Sequence, residues 1–72
     1  MTMFMFATVQ RVGNASLLVY DHSGSQEVVV HTPNAHCFSP GEEIFIKYNG
    51  IMTLSIPPQI SASCISKIQC IY

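Results

Sequence analysis

Charged side chains are scarce in this sequence of 72 residues. They make up 10% of the chain, whereas a typical soluble protein has about 25%. Three basic residues are set against four acidic ones, which leaves a net charge of −1. Proteins that bind duplex nucleic acid or an anionic membrane surface usually present a basic patch. The composition therefore argues against both kinds of partner.

Long apolar runs are also missing. The longest one spans residues 3–7, whereas a transmembrane helix needs about 18 apolar residues in a row. A signal peptide needs a basic start and an apolar stretch of about 7–15 residues, and the first residues of the chain have neither. We therefore expect no membrane association and interpret this segment as a strand.

The three cysteines, Cys37, Cys64 and Cys70, are an odd number without close spacing. Small secreted domains usually carry an even set that forms disulfide bonds. The sequence therefore predicts a reduced, cytoplasmic protein. In such a protein Cys37 and Cys64 are expected to be small buried hydrophobic residues.

Apolar residues, by contrast, make up 49% of the chain. That share excludes a disordered chain, which needs low hydrophobicity and high net charge. The apolar residues alternate with a period of two instead of following a helical stripe, and turn residues divide them into short runs. The sequence therefore predicts an all-β protein that forms one domain over residues 1–72.

Three strands are predicted in the first part of the chain, over residues 3–12, 16–21 and 26–31. Gly13-Asn14 supplies the first turn. Asp21-His22-Ser23-Gly24 supplies the second turn, in which Gly24 is expected to take positive φ. Short turns of this kind join antiparallel neighbours, so residues 3–31 are expected to form a three-stranded meander.

A short helix is predicted after the third strand. Thr32 is a suitable N-cap and Pro33 a suitable first helical residue, but the next turn residues leave room for one helical turn at most. A fourth strand is expected over residues 44–48.

A hairpin is predicted at Asn49-Gly50, because this pair is typical of a type I′ turn, in which both residues have positive φ. It would return the chain as a strand over residues 51–55. Pro57-Pro58 cannot donate ladder hydrogen bonds and is expected to interrupt the pairing. A last strand over residues 61–68 then closes the sheet.

This order of elements predicts a small five- to six-stranded OB-like barrel, closed or partly open, with at most one helical turn. Closure hides the sheet edges that a hydrophobic protein could not leave open. An SH3-like barrel is the alternative, and it would need a helical turn just before the last strand. The side chains predicted to point into the barrel are Val9, Leu17, Val19, Val28, Val30, Ile44, Ile46 and Ile65.

Three segments carry a resemblance to a known group of proteins. They are Gly41-Glu42-Glu43-Ile44-Phe45-Ile46, then Asn49-Gly50, then Ser55-Ile56-Pro57-Pro58-Gln59-Ile60-Ser61-Ala62. Together they resemble a family of small uncharacterised bacterial domains, in which a Gly-Asp/Glu-x-Val-x-Ile strand start precedes a Ser-x-Pro-x-Gln-x-x-Ala motif. The resemblance covers residues 7–68 and implies an OB-like fold. It implies no ligand and carries over no site residue.

No arrangement of residues predicts catalysis. His22, His31 and His36 occur together with Asp21, but no motif places a nucleophile on a strained turn beside them. A glycine-rich phosphate loop is missing as well, since the glycines all fall in predicted turns. We therefore predict that the protein is not an enzyme and has no cofactor.

A metal site is an alternative that depends on His36 and Cys37 between two strands and on Cys64 in the last strand. Zinc ligands usually come in two closely spaced pairs of cysteine or histidine. His31 and His36 are five residues apart, but they straddle a strand end and have no second pair. No metal is therefore predicted.

The predicted sheet leaves apolar side chains on its outside. Leu18, Tyr20 and Val29 fall on the outer face, and Phe4 and Phe6 belong to a first strand that is apolar on both faces. Apolar patches on a small domain usually mark an interface, although the first strand could simply cap an open barrel end. We therefore predict a binding module that uses these five residues to form a homo-oligomer or to contact a protein partner.

Weak binding of single-stranded nucleic acid is the alternative function. OB-folds bind single strands with a basic groove and with aromatic side chains on which bases stack. Tyr20, Phe45 and Lys47 would supply these contacts. The outer face also carries Glu27, which repels phosphate, so we expect any such binding to be weak.

Overall fold

Five strands and one turn of 3-10 helix make up the computed structural model, which describes residues 2–68. The elements are β1 (Met3–Val12), β2 (Ser16–Asp21), β3 (Gln26–His31), the helical turn (Ala35–Cys37), β4 (Glu43–Tyr48) and β5 (Gln59–Lys67). The bounds of the first three strands agree with the prediction. Among residues 2–68, no helix has the length and apolarity needed to cross a bilayer.

The strands close into a barrel in the order β1-β2-β3-β5-β4. Neighbours pair antiparallel except β3 and β5, which are parallel, and β1 closes the barrel by pairing with β4. The helical turn lies between β3 and β4, not before the last strand as an SH3-like barrel would require. The predicted OB-like barrel is therefore confirmed, and the SH3-like alternative is wrong.

The core follows from the alternation of side chains along each strand. Seven of the predicted inward residues, all except Ile65, are at most 1% exposed. Ile65 is half-buried and packs against the core from β5. Six buried core residues of the hydrophobic class lie outside the prediction: Met5, Ala7, Ala35, Phe38, Tyr48 and Ile60.

The apolar first strand alternates as well. Met5 and Ala7 point into the core, whereas Phe4 and Phe6 point outward and are 58% and 38% exposed. The apolar run of residues 3–7 is therefore unbroken because one face of β1 packs in the core and the other face carries the aromatic residues Phe4 and Phe6.

The predicted hairpin after β4 is wrong. Residues 49–58 form a loop, and no strand occurs over residues 51–55. Gly50 does have positive φ, at 86°, but Asn49 does not. The side-chain Oδ1 of Asn49 instead accepts the N–H of Ile51 at 3.0 Å. The physical reason is that β4 already pairs with β1 on one edge and with β5 on the other, so no edge remains for a further strand.

Two details of the predicted turns also differ. Ser25, and not Gly24, takes positive φ in the turn after β2. A Cβ at Gly24 would approach Asp21 Oδ2 to 2.7 Å, so a larger residue there would require the carboxylate of Asp21 to shift. The helical turn has Asn34 as its N-cap in place of Thr32, and Thr32 Oγ1 accepts the Asn34 N–H at 3.3 Å.

Gly50 offers a test of this loop. Gly50→Val should lower the free energy of unfolding by about 1–3 kcal/mol, because the residue has positive φ and the new Cβ would lie 3.1 Å from Met3 Cγ. Gly41→Val is the matched control, since Gly41 has φ +91° and no atom within 4 Å of the new Cβ. Urea unfolding should show the larger loss at Gly50. A loss below about 0.5 kcal/mol, as at an ordinary surface position, would contradict the turn geometry.

Candidate functional site

Aromatic side chains form a row on the outside of the barrel, across β4, β1 and the end of β2. The rings of Phe4 and Phe45 are stacked, with centroids 5.4 Å apart and an interplanar angle of 14°. Phe6 lies 5.0 Å from the ring of His22, and His22 lies 5.4 Å from Tyr20. We refer to these five residues as the aromatic row.

The strand register brings the aromatic row together. Phe6 lies directly opposite Phe45 in the β1–β4 ladder, and Thr8 lies opposite Tyr20 in the β1–β2 ladder. Thr8 Oγ1 is 2.7 Å from His22 Nε2, which holds the imidazole beside the ring of Phe6. Phe4 lies diagonally across the β1–β4 ladder from Phe45, and a diagonal pair of side chains is within reach of aromatic rings.

Two opposite charges flank the row on β4. Glu43, Phe45 and Lys47 all point outward, because Ile44 and Ile46 between them are buried. The acid and the base therefore lie at equal spacing on either side of Phe45. Lys47 lies opposite Phe4, and Glu43 lies opposite Thr8.

The remaining residues of the predicted protein-contact surface also lie on the outside of the barrel. Leu18 and Val29 face each other across β2 and β3, and both are half-buried. Tyr20 is also half-buried and lies opposite Glu27. Phe4 and Phe6 are the more exposed members of the predicted surface, so its accessible part lies on β1.

The three residues predicted for nucleic-acid binding do not form one compact cluster. Phe45 and Lys47 are exposed neighbours on β4. Tyr20 lies at the other end of the aromatic row, where its ring contacts His22.

His22 belongs to this site although the sequence pattern does not predict it. The residue lies just after β2, outside the alternating pattern that assigned side chains to faces. Its backbone N–H donates to the carbonyl of Phe6 at 3.1 Å, which extends the β1–β2 pairing by one step. A longer second strand in the prediction would have placed His22 beside Phe6.

The cysteines do not behave as predicted. Cys37 and Cys64 are exposed free thiols rather than small buried residues. Cys37 is the last residue of the helical turn, and Cys64 lies opposite the outward-pointing Lys47 in the β4–β5 ladder. Cys70 lies outside the described residues. Within residues 2–68, no three His, Cys, Asp or Glu side chains come together as metal ligands.

Comparison with known proteins adds no relative: no family model, curated protein or solved structure matches the chain. The resemblance of residues 7–68 to small uncharacterised bacterial domains therefore stays a prediction.

Proposed function

We propose that this chain is a non-enzymatic binding module that associates with a second copy of itself through the aromatic row. The observation that carries the proposal is the stacked pair of Phe4 and Phe45, 58% and 43% exposed, beside Phe6 on the same face. Aromatic side chains are enriched at protein interfaces because they bury a large area at low entropic cost. A second copy would remove these rings from water.

Charge supports a second copy as the partner. Glu43 and Lys47 lie on either side of Phe45, about 13 Å apart along β4 from the rise of about 3.3 Å per residue. A two-fold axis through Phe45 would bring Lys47 of one copy beside the partner's Glu43, and the reverse contact would form by symmetry. Two-fold interfaces require this kind of self-complementary surface. The nearly neutral net charge of −1 offers little repulsion between copies.

Sedimentation of the full chain between about 5 and 500 μM tests the proposal. The wild-type chain should form dimers with a dissociation constant of about 1–100 μM, as expected for a small interface. Phe4→Glu/Phe6→Glu should raise that constant at least roughly 100-fold, because two central aromatic residues are lost and like charges are introduced. A wild-type chain that remains monomeric at about 500 μM would overturn self-association.

The matched control is Leu54→Glu/Ile56→Glu. Both residues are fully exposed, at 101% and 99%, so this variant makes the same change of charge and hydrophobicity on another surface. It should leave the dissociation constant within about threefold of the wild-type value. Equal loss in both double variants would mean that association is a nonspecific effect of exposed apolar residues.

A charge exchange tests the two-fold arrangement itself. Lys47→Glu should raise the dissociation constant about tenfold, because each copy would then present two acids to the other. Adding Glu43→Lys restores opposite charges across the axis and should restore most of the affinity. If the second substitution gives no recovery, the contact is not two-fold about Phe45.

Weak single-stranded nucleic-acid binding is the second candidate, because Phe4 and Phe45 could stack a base while the neighbouring Lys47 contacts its phosphate. The carboxylate of Glu43 on the same face would repel the phosphate and weaken this binding. Oligo(dT) binding that falls with added salt and is lost in Lys47→Glu would favour this function over self-association.

A further inference from the structure

A groove of about 420 Å³ lies between β3 and the loop of residues 49–58. Gln26 and Glu27 line it on the strand side, and residues 52–58 line it on the loop side. The loop side is largely apolar, and two of its side chains, Leu54 and Ile56, are fully exposed. The groove shares no residue with the aromatic row.

The floor of the groove is the place where the ladder between β3 and β5 stops. The parallel pairing runs from Val29 opposite Gln59 to His31 opposite Ser61, and the Val29 N–H donates to the Pro58 carbonyl at 2.9 Å. In a parallel ladder the next bond would run from the N–H of residue 58 to the carbonyl of Glu27. Proline has no N–H, so the ladder ends there.

The backbone of Glu27 is therefore left at an open strand edge. Successive residues of a strand direct their N–H and C=O groups to alternate sides, and Val29 directs its N–H away from β2. Glu27 must point the same way as Val29. Among the described residues 2–68, neither the N–H nor the carbonyl of Glu27 forms a backbone hydrogen bond outside the strand ladders. Such an edge is a template for another strand.

We propose that this groove binds an extended peptide segment of a partner protein, which adds its backbone to the edge of β3 at Glu27. Strand addition supplies backbone hydrogen bonds, while pockets beside the edge accept alternate side chains. Met52 and Ile56 provide apolar contacts for those side chains. Glu27 is exposed and is the charged member of the lining, so the peptide carries a lysine or arginine beside it.

The same features disfavour a nucleic acid in the groove. Its lining has no cation, and the Glu27 carboxylate would repel phosphate. A basic peptide can form hydrogen bonds with the backbone of Glu27 and an ion pair with its carboxylate. A phosphate backbone can form neither kind of contact.

The probe is the acetylated and amidated peptide Val-Lys-Val-Lys-Val, titrated into the ¹⁵N-labelled full chain to about 5 mM, which covers weak millimolar binding. Saturable shifts of the amide signals of Glu27, Leu54 and Ile56 are expected. Hydrogen exchange at the Glu27 amide should slow, because its N–H gains an acceptor. Shifts confined to the aromatic row, or no saturable shift, would overturn the proposal.

Two matched comparisons separate strand addition from other binding. Glu27→Lys should weaken the lysine peptide roughly tenfold and should bind Val-Glu-Val-Glu-Val in its place. The lysine peptide with N-methylated backbone amides should lose binding, because it cannot donate to the Glu27 carbonyl. Equal affinity of Glu27→Lys for the two charged peptides, or full binding of the methylated one, would each contradict the mechanism.

Failure here is distinguishable from failure of self-association. Phe4→Glu/Phe6→Glu changes only the aromatic row, so that variant should bind the peptide with unchanged affinity. If it loses the peptide, the binding surface is the aromatic row and the groove proposal is wrong.

Discussion

Replacing Ile46 by alanine should lower the free energy of unfolding by about 2–4 kcal/mol. Ile46 is fully buried at the middle of β4 and lies opposite Met5 on one side and Ile65 on the other. Truncation therefore loses transfer free energy and leaves a cavity between three strands. A chain of this length has a total stability of only roughly 4–11 kcal/mol, so the loss would take a large part of it.

The matched control on the same strand is Lys47→Ala. Lys47 points outward, and a surface substitution usually changes stability by less than about 0.5 kcal/mol. Urea unfolding followed by circular dichroism compares the two variants at one and the same protein concentration, because association makes the apparent stability depend on concentration. If Ile46→Ala does not fold, Ile46→Val should still cost about 0.5–1.5 kcal/mol. Equal losses at Ile46 and Lys47 would contradict the register of β4.

The sequence predicts this core because barrel strands alternate strictly between two environments. In β2, Leu17 and Val19 are buried while Leu18 and Tyr20 are half-exposed, as the period of two requires. The pattern alone cannot distinguish the two apolar faces of such a strand. The turns indicate which face is buried, because they set the pairing of β1, β2 and β3.

Residues 51–55 show where local reasoning fails. Ile51, Met52 and Leu54 suit a strand by propensity, and Asn49-Gly50 suits a hairpin. The outcome depends on β5, which arrives from later in the chain and takes the free edge of β4. No local pattern encodes that competition, and the displaced segment is left as a loop with Leu54 fully exposed.

The candidate sites divide in the same way. Phe4 and Phe6 could be predicted from the first strand alone, because their apolar run exceeds what one buried face needs. The open backbone at Glu27 could not be predicted from the sequence. It depends on the parallel register, which places Val29 opposite Gln59 and Pro58 at the end of the ladder. The sequence shows the proline but not its partner strand.

Phe38 is a core residue that alternation could not predict, because it follows the helical turn and belongs to no strand. It is 8% exposed and joins the core cluster together with Ala35. Lys67 covers it from outside, with Nζ 5.6 Å from the ring centroid. The helical turn is therefore attached to the barrel through Ala35 and through the larger ring of Phe38.

Phe38→Ala should accordingly lower the free energy of unfolding by about 3–5 kcal/mol, the usual range for a buried phenylalanine. Phe38→Leu, which keeps most of the volume, should cost less than about 1.5 kcal/mol. Lys67→Gln removes the cation above the ring and the ion pair with Glu42 at 3.3 Å, and exposed contacts of this kind contribute about 1 kcal/mol or less. Urea unfolding of the three variants should rank Phe38→Ala as by far the least stable. If Phe38→Ala lowers the free energy of unfolding no more than Lys67→Gln does, the ring serves mainly to bind Lys67 and does not attach the helical turn to the barrel.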